Sequence, residues 1–139
     1  ILLGLVGSEM CIRDSYQNNA RVHFNNHIEK DGRFGKRIIY GGYIISLARA
    51  ISCNGLANAF KILAIHSGRH AAPTFSGDTI YAWSKILTKK KIDDTLGTLL
   101  VRTIASKNDS KINFPDKDKL TENMVLDLEY SVLIPVKKK

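Results

Sequence analysis

Cysteine is scarce in this chain. Two cysteines, Cys11 and Cys53, occur among its 139 residues, and only Cys53 lies outside the atypical N-terminal stretch described below. A single cysteine cannot form an internal disulfide bond, so the disulfide-stapled class is excluded and a reducing cytoplasm is the expected location. Because Cys53 falls within an apolar helical stretch, we interpret it as a small buried hydrophobic residue and not as a nucleophile.

Long apolar runs are missing as well. No stretch approaches the roughly 20 residues that a membrane-spanning helix needs, and the apolar opening Ile1–Val6 lacks the basic flank of a signal peptide. The composition, 44% hydrophobic and 24% charged, is that of an ordinary globular protein, and the length suits one domain with one core. No membrane association is expected.

The first fifteen residues stand apart from the rest. The run 1–15, ILLGLVGSEMCIRDS, resembles a translated sequencing adapter, which would make it foreign to the domain. No strand or helix is expected before Ser15. We therefore interpret 1–15 as non-native and 16–139 as a partial domain that is truncated at its N-terminal side.

Negative charge is in the minority, and the formal net charge is +8. Such a balance favours an anionic partner, either nucleic acid or a phosphate-bearing molecule such as coenzyme A. The two lysine clusters, Lys89–Lys91 and Lys137–Lys139, are typical of solvated strand ends and tails. The aromatic residues Tyr81, Trp83 and Tyr130 fall on strand faces at core spacing, without interleaved basic residues, so nucleic-acid binding is not expected.

One apolar helix is predicted from Gly42 to Cys53. Ile44, Leu47, Ala48 and Ile51 follow the i, i+3, i+4, i+7 spacing of a buried helical face. The other faces carry a single charge, which predicts a helix largely surrounded by protein.

Four strands are predicted after this helix, over 60–66, 79–87, 98–105 and 125–135. The last alternates most clearly, with Leu126, Leu128 and Tyr130 on one face and Asp127 and Glu129 on a face expected to be wet. One apolar helix followed by alternating strands predicts an α+β fold. An antiparallel sheet wrapped around a central helix, the hot-dog fold, is the simplest way to bury that helix.

Three segments resemble the MaoC-like hot-dog hydratases: YQNNARVHFN at 16–25, GRFGKRIIYGG at 32–42 and APTFSGDT at 72–79. They match, in order, an acid-x-Asn-Pro-x-His motif, a turn into the central helix, and a Pro-x-x-x-Gly-Asp-Thr turn into a strand. Within that class the chain looks like the C-terminal half of the mesaconyl-CoA hydratase family, from about Tyr16 to Pro135.

The resemblance implies a hydro-lyase that acts on an enoyl thioester of coenzyme A and needs no cofactor or metal. Members of the family have two hot-dog halves in one chain, so it also implies that a first half is missing here. A double hot-dog assembly and a homo-oligomer are the implied partners. Another acyl-CoA hydratase, a thioesterase and a non-catalytic acyl-CoA-binding half remain alternatives, because one fold hosts several functions.

The resemblance assigns roles to three residues. His23 matches the family histidine and is the expected general acid/base, since imidazole exchanges protons near neutral pH. Asn18 stands where the family has an aspartate, and a positioning role is expected for it; Ala20 and Arg21 replace the motif's Asn and Pro. Gly41, at the helix start, is the expected backbone oxyanion donor.

Simpler interpretations stay open beside these roles. His23 by itself would pass for a hydrogen-bonded spectator, and Gly41-Gly42 for a tight turn. If Asn18 is no substitute for the aspartate, either His23 acts alone or a carboxylate from the loop at Glu29 and Asp31 replaces it.

Histidine spacing also suggests a metal, because His23/His27 and His66/His70 are each four residues apart. Neither pair has an obvious third ligand, so metal binding is not expected.

Overall fold

A computed structural model of the chain describes residues 3–5, 15–110, 113–116, 119 and 121–137. A short helix α1 spans Asn26–Glu29 and the main helix α2 spans Gly41–Ile51; single turns of 3₁₀ helix occupy Arg21–His23 and Ser52–Gly55. The main helix therefore begins one residue earlier than predicted and ends in a 3₁₀ turn. No helix in these ranges is long and apolar enough to cross a membrane.

One antiparallel sheet accounts for all the strands in the described ranges. The strands are β1 (Leu3–Leu5), β2 (Lys61–His70), β3 (Thr79–Lys91), β4 (Leu96–Lys107) and β5 (Met124–Pro135). Their order across the sheet is β1-β3-β4-β5-β2, and every neighbouring pair is antiparallel. All four predicted strands are present, each longer than its alternation indicated. In β3 the backbone pairing with β4 continues over exposed residues as far as Lys91.

The core lies between α2 and one face of the sheet. Ile44, Ala48 and Ile51 are the buried residues of α2, and they belong to one apolar cluster with Leu128 and Tyr130 of β5. Burying an aliphatic side chain of this size contributes about 1.5–3 kcal/mol. The predicted helix wrapped by an antiparallel sheet is confirmed. Of the four side chains that the periodicity selected, three are buried, and Leu47 is half-buried against the cluster.

The expected wet face of β5 is partly wrong. Asp127 lies on that face as predicted, but its side chain is only 15% exposed, because it forms a two-pronged ion pair with Arg102 of β4. The two N···O distances are 2.9 and 2.7 Å. The guanidinium also donates to the Pro115 carbonyl oxygen and lies 5.3 Å from the ring centroid of Phe114. The contacts with Phe114 and Pro115 contribute to the low exposure of the Arg102 side chain.

The N-terminal stretch does contain one element. Leu3–Leu5 forms β1 and pairs antiparallel with Thr79–Tyr81 of β3, where no strand was expected. Because hydrogen bonding at an open sheet edge uses backbone groups, it accepts an extended segment of almost any sequence. The interpretation of 1–15 as non-native falls mainly on residues outside the described ranges, and the boundary at residue 15 stays a prediction.

The opposite edge of the sheet, β2, is apolar and open. Every residue of β2 is exposed. The most exposed apolar side chains of this edge are Phe60, just before β2, and Ile65 within it, both near 60% exposed. Within the described chain nothing pairs with the outer side of β2. An apolar edge of this length is a surface on which a further strand or domain can dock.

Candidate functional site

The three segments that resemble the hydratase pattern come together at the start of α2. The Ile38 N–H donates to the Val22 carbonyl oxygen at 3.2 Å, which joins the first segment to the second. The Ile39 N–H donates to the Thr74 carbonyl oxygen at 2.7 Å, which joins the second segment to the third. Residues about 50 positions apart in sequence therefore share one site.

His23 is held in one tautomer by the backbone. It ends the 3₁₀ turn Arg21–His23, and its Nδ1 lies 2.9 Å from the carbonyl oxygen of Ile38. A carbonyl oxygen only accepts, so Nδ1 carries the proton and the lone pair of the neutral ring is on Nε2. The ring of Tyr40 lies edge-on at 5.6 Å between centroids and limits rotation of the imidazole. An imidazole in this state is ready to accept a proton at Nε2.

Two aromatic side chains lie close to the glycines that open α2. A Cβ on Gly41 would lie 2.8 Å from Nε2 of His70, and a Cβ on Gly42 would lie 2.5 Å from the ring of Tyr40. The N-cap, Tyr40, makes no side-chain hydrogen bond to the first turn. The backbone N–H groups at a helix start lack intrahelical partners, and the helix dipole favours negative charge there.

A cavity of about 480 Å³ unites these features. Its wall includes His23, Gly41, His70 and Arg33. The remaining wall is mainly apolar and consists of Phe34, Ile38, Ile39, Ile44, Ala71, Ala72, Pro73 and Thr74. An imidazole and the start of a helix therefore face one space, as a reaction centre requires. The catalytic roles of His23 and Gly41 remain predictions.

A second cavity, of about 440 Å³, borders the other flank of α2. Its polar groups come from Ser46, Arg49 and Tyr130, and the Ser46 hydroxyl donates to the Gly42 carbonyl oxygen at 3.1 Å. No imidazole or carboxylate lines it in the described chain. Of these two cavities, only the first has imidazole groups in its described wall.

None of the residues expected to replace the family's aspartate lines the first cavity. Asn18 uses its Oδ1 to accept from the Ala20 N–H at 2.8 Å, which is a local turn contact. Glu29 lies 3.7 Å from Nε of Arg21, and Asp31 is exposed. The described part of the cavity wall has no carboxylate, and the positioning role of Asn18 stays a prediction.

The carboxylate of the Gly-Asp-Thr turn is used for structure. Asp78 accepts from the Phe75 N–H at 2.9 Å and from the side-chain amide of Asn108 at 2.8 Å. Gly77 adopts a φ of 92°, a conformation that favours glycine. The motif therefore shapes the turn that carries Thr74 and does not supply a reactive group.

His70 is the site residue that sequence reasoning missed. It is the last residue of β2, and its only sequence signal was the spacing from His66, which suggested a metal pair. His66 instead lies 2.5 Å from the Ser131 hydroxyl through Nε2. The described residues contain no group of three His, Cys, Asp or Glu side chains that could hold a metal ion.

His70 belongs to the exposed strand β2, but its ring lies against Gly41, and partial desolvation of the ring lowers its pKa from the ordinary 6.5. Desolvation penalises the charged imidazolium, and the other ionisable groups of the cavity, His23 and Arg33, bring no negative charge. In an NMR titration, we expect the His70 imidazole resonances to titrate at lower pH in the folded protein than in the urea-unfolded chain. A His70 pKa that is equal or higher in the folded protein would contradict the desolvation argument.

The lowered pKa of His70 also determines whether acid stabilises or destabilises the fold. The unfolded chain binds a proton at His70 at a higher pH than the folded chain does, so stability falls as the pH drops through 6.5. His70→Gln should remove this part of the acid sensitivity.

Comparison with known proteins finds two curated relatives. The chain is 57% identical over 125 residues to β-methylmalyl-CoA dehydratase of Chloroflexus aurantiacus and 44% identical over 123 residues to mesaconyl-CoA hydratase of Cereibacter sphaeroides. Each match covers 86% of this chain but only 36% and 35% of the relatives, so the chain spans about a third of their length. No protein-family model matches the chain.

Solved structures agree with these relatives. A MaoC-domain dehydratase from Chloroflexus aurantiacus superimposes with a TM-score of 0.87 and 50% identity, over 96% of this chain and 40% of that one. A double hot-dog protein from Mycobacterium tuberculosis superimposes with a TM-score of 0.74 and 27% identity, over 96% of this chain and 37% of that one. The hot-dog fold and the resemblance to the MaoC-like hydratases are confirmed.

Proposed function

We propose that this MaoC-like hot-dog unit is part of a longer enoyl-CoA hydratase that reversibly converts mesaconyl-CoA to β-methylmalyl-CoA. The observation that supports this most is the His23 imidazole, which has its Nε2 lone pair available and shares a cavity with the start of α2. The names of the two curated relatives point to the same reaction.

The reaction needs a base, a proton carrier and a group that stabilises negative charge. His23 Nε2 takes a proton from water while the water oxygen bonds to the β-carbon of the enoyl thioester. The double-bond electrons move towards the thioester oxygen, whose negative charge lies at the backbone N–H groups of Gly41 and Gly42. His23 then delivers its proton to the α-carbon. One water is added in total, and the imidazole returns to its neutral state.

The charge of the cavity fits a substrate with a second carboxylate. Arg33 is the one residue with a permanent charge among those that line the cavity in the described chain. Its guanidinium lies 5.2 Å from the ring centroid of Phe34, which restricts its position. Mesaconyl-CoA carries a free carboxylate on its β-carbon, and a guanidinium is the side chain best suited to bind a carboxylate. We therefore assign Arg33 to that carboxylate.

Arg33→Met should change the choice of substrate. In the full-length protein, kcat/KM for mesaconyl-CoA should fall about 10- to 100-fold, because hydrogen bonds to a charged group contribute roughly 1.5–3 kcal/mol. The neutral analogue 2-methylcrotonyl-CoA, in which a methyl group replaces the carboxylate, should be hydrated at the wild-type rate. Loss of the enoyl-thioester absorbance measures both reactions.

Lys36→Met is the matched control, because it removes one nearby positive charge from a side chain that does not line the cavity. Lys36→Met should leave the hydration rates of both substrates unchanged. Equal losses on the charged and the neutral substrate would contradict the Arg33 assignment. A full-length protein that binds acyl-CoA thioesters without hydrating any of them would favour the acyl-CoA-binding alternative.

A partner for this unit is proposed from the open edge of the sheet. The β2 edge is exposed along its whole length and carries apolar side chains such as Phe60 and Ile65. The relatives are almost three times as long as the matched region, and a double hot dog occurs among the structural neighbours. We propose that a second hot-dog unit of the same protein covers this edge.

A further inference from the structure

We propose that His70 donates a hydrogen bond from Nε2 to the thioester oxygen of the bound enoyl-CoA. It would be the side-chain donor of an oxyanion site whose backbone donors are at the start of α2. The proposal rests on the hydratase function above and adds to it a catalytic residue that the hydratase motif does not contain.

The position of the His70 ring is the main observation. A Cβ atom built on Gly41 would lie 2.8 Å from Nε2 and 2.9 Å from Cε1 of His70. The edge of the His70 ring therefore occupies the space that a side chain at position 41 would fill. His70 and Gly41 line the same cavity as His23. The absence of a side chain at Gly41 therefore brings an imidazole nitrogen and the first turn of α2 next to one another.

The surroundings of His70 favour a neutral donor. In the described chain no side-chain hydrogen bond involves His70, whereas His66 on the same strand is bonded to Ser131. Partial desolvation lowers the pKa of His70, which favours the uncharged ring at neutral pH. A preorganised neutral imidazole can polarise a carbonyl group without losing its own proton.

This role of His70 explains how the reaction can proceed without a carboxylate in the described cavity wall. In the proposed reaction His23 carries the single proton from water to the α-carbon, so no second acid or base is needed. His70 keeps its proton throughout and only stabilises the charge that develops on the thioester oxygen. Asn18 lies outside the cavity wall, and the mechanism leaves no proton-transfer step for a residue at its position.

The test compares three variants of the full-length protein. His70→Phe should lower kcat for mesaconyl-CoA by about 10²–10³-fold, the usual loss for one oxyanion donor, with KM changed less than about threefold. His70→Gln, whose amide N–H can replace Nε2–H, should recover part of that loss. The control His27→Phe changes an exposed histidine of α1 outside this cavity and should leave kcat unchanged.

A second measurement does not depend on turnover. It uses 2-methylbutyryl-CoA, a saturated analogue with no double bond to hydrate, labelled with ¹³C at the thioester carbonyl carbon. This carbon should shift downfield on binding, and less in His70→Phe than in wild type. A shift that is the same in both proteins, or equal kcat values for the Phe and Gln variants, would overturn the role of His70. If the wild type hydrates no enoyl-CoA but the ¹³C shift still depends on His70, the proposed hydratase function is wrong and the hydrogen bond from His70 is supported.

Discussion

His23→Ala should lower the hydration rate of mesaconyl-CoA by about 10²–10⁴-fold, the range of positioned acid/base catalysis. In the proposed mechanism His23 is the only residue that transfers a proton, so no neighbouring group takes over. The side chain is partly exposed on a 3₁₀ turn with no buried residues, and its removal should cost little stability. Loss of the enoyl-thioester absorbance in the full-length protein measures the rate, and circular dichroism checks the fold.

Two further variants show whether the loss is specific. His27→Ala removes an exposed imidazole four residues away, in α1, and should leave the rate unchanged. Asn18→Ala should have a smaller effect than His23→Ala, because Asn18 bonds the backbone of its own turn. Near-normal turnover by His23→Ala would rule out the proposed mechanism.

Asp127→Ala should lower the free energy of unfolding by about 3–5 kcal/mol, the usual cost of breaking a buried ion pair. The Arg102 side chain is 5% exposed, so loss of the carboxylate leaves a buried guanidinium with the Pro115 carbonyl oxygen as its remaining hydrogen-bond acceptor in the described chain. An arginine keeps its proton at neutral pH even without the bond to Asp127 that raises its pKa, so the guanidinium cannot escape the penalty by losing its proton. Urea denaturation followed by circular dichroism gives the change.

The exposed Lys91–Asp94 pair provides the matched control. Its side chains are 58% and 97% exposed, and exposed pairs add little to stability. Asp94→Ala should therefore not shift the urea midpoint. Replacing both members of the buried pair, as Arg102→Met with Asp127→Leu, should restore most of the lost stability. If Asp127→Ala and Asp94→Ala had equal midpoints, the buried pair would not be a stabilising contact.

The sequence by itself determined the fold class and the main helix. The spacing of Ile44, Ala48 and Ile51 selected the face of α2 that the structure buries, and the alternation of β5 selected its buried side chains. Both patterns are local. An apolar face on a helix or strand must be buried, and its residue spacing does not depend on which element packs against it. The resemblance at 16–25, 32–42 and 72–79 likewise identified the family before the comparisons confirmed it.

Only the tertiary structure decided which polar groups share a cavity. His70 lies at the end of a strand and its spacing from His66 suggested a metal pair, yet its ring packs on Gly41, 29 positions earlier in the chain. Asn18 and His23 are five residues apart, yet His23 lines the cavity and Asn18 does not. Asp127 has the alternation of a wet residue, yet Arg102 covers it. Each outcome depends on contacts between distant segments, which local periodicity does not encode.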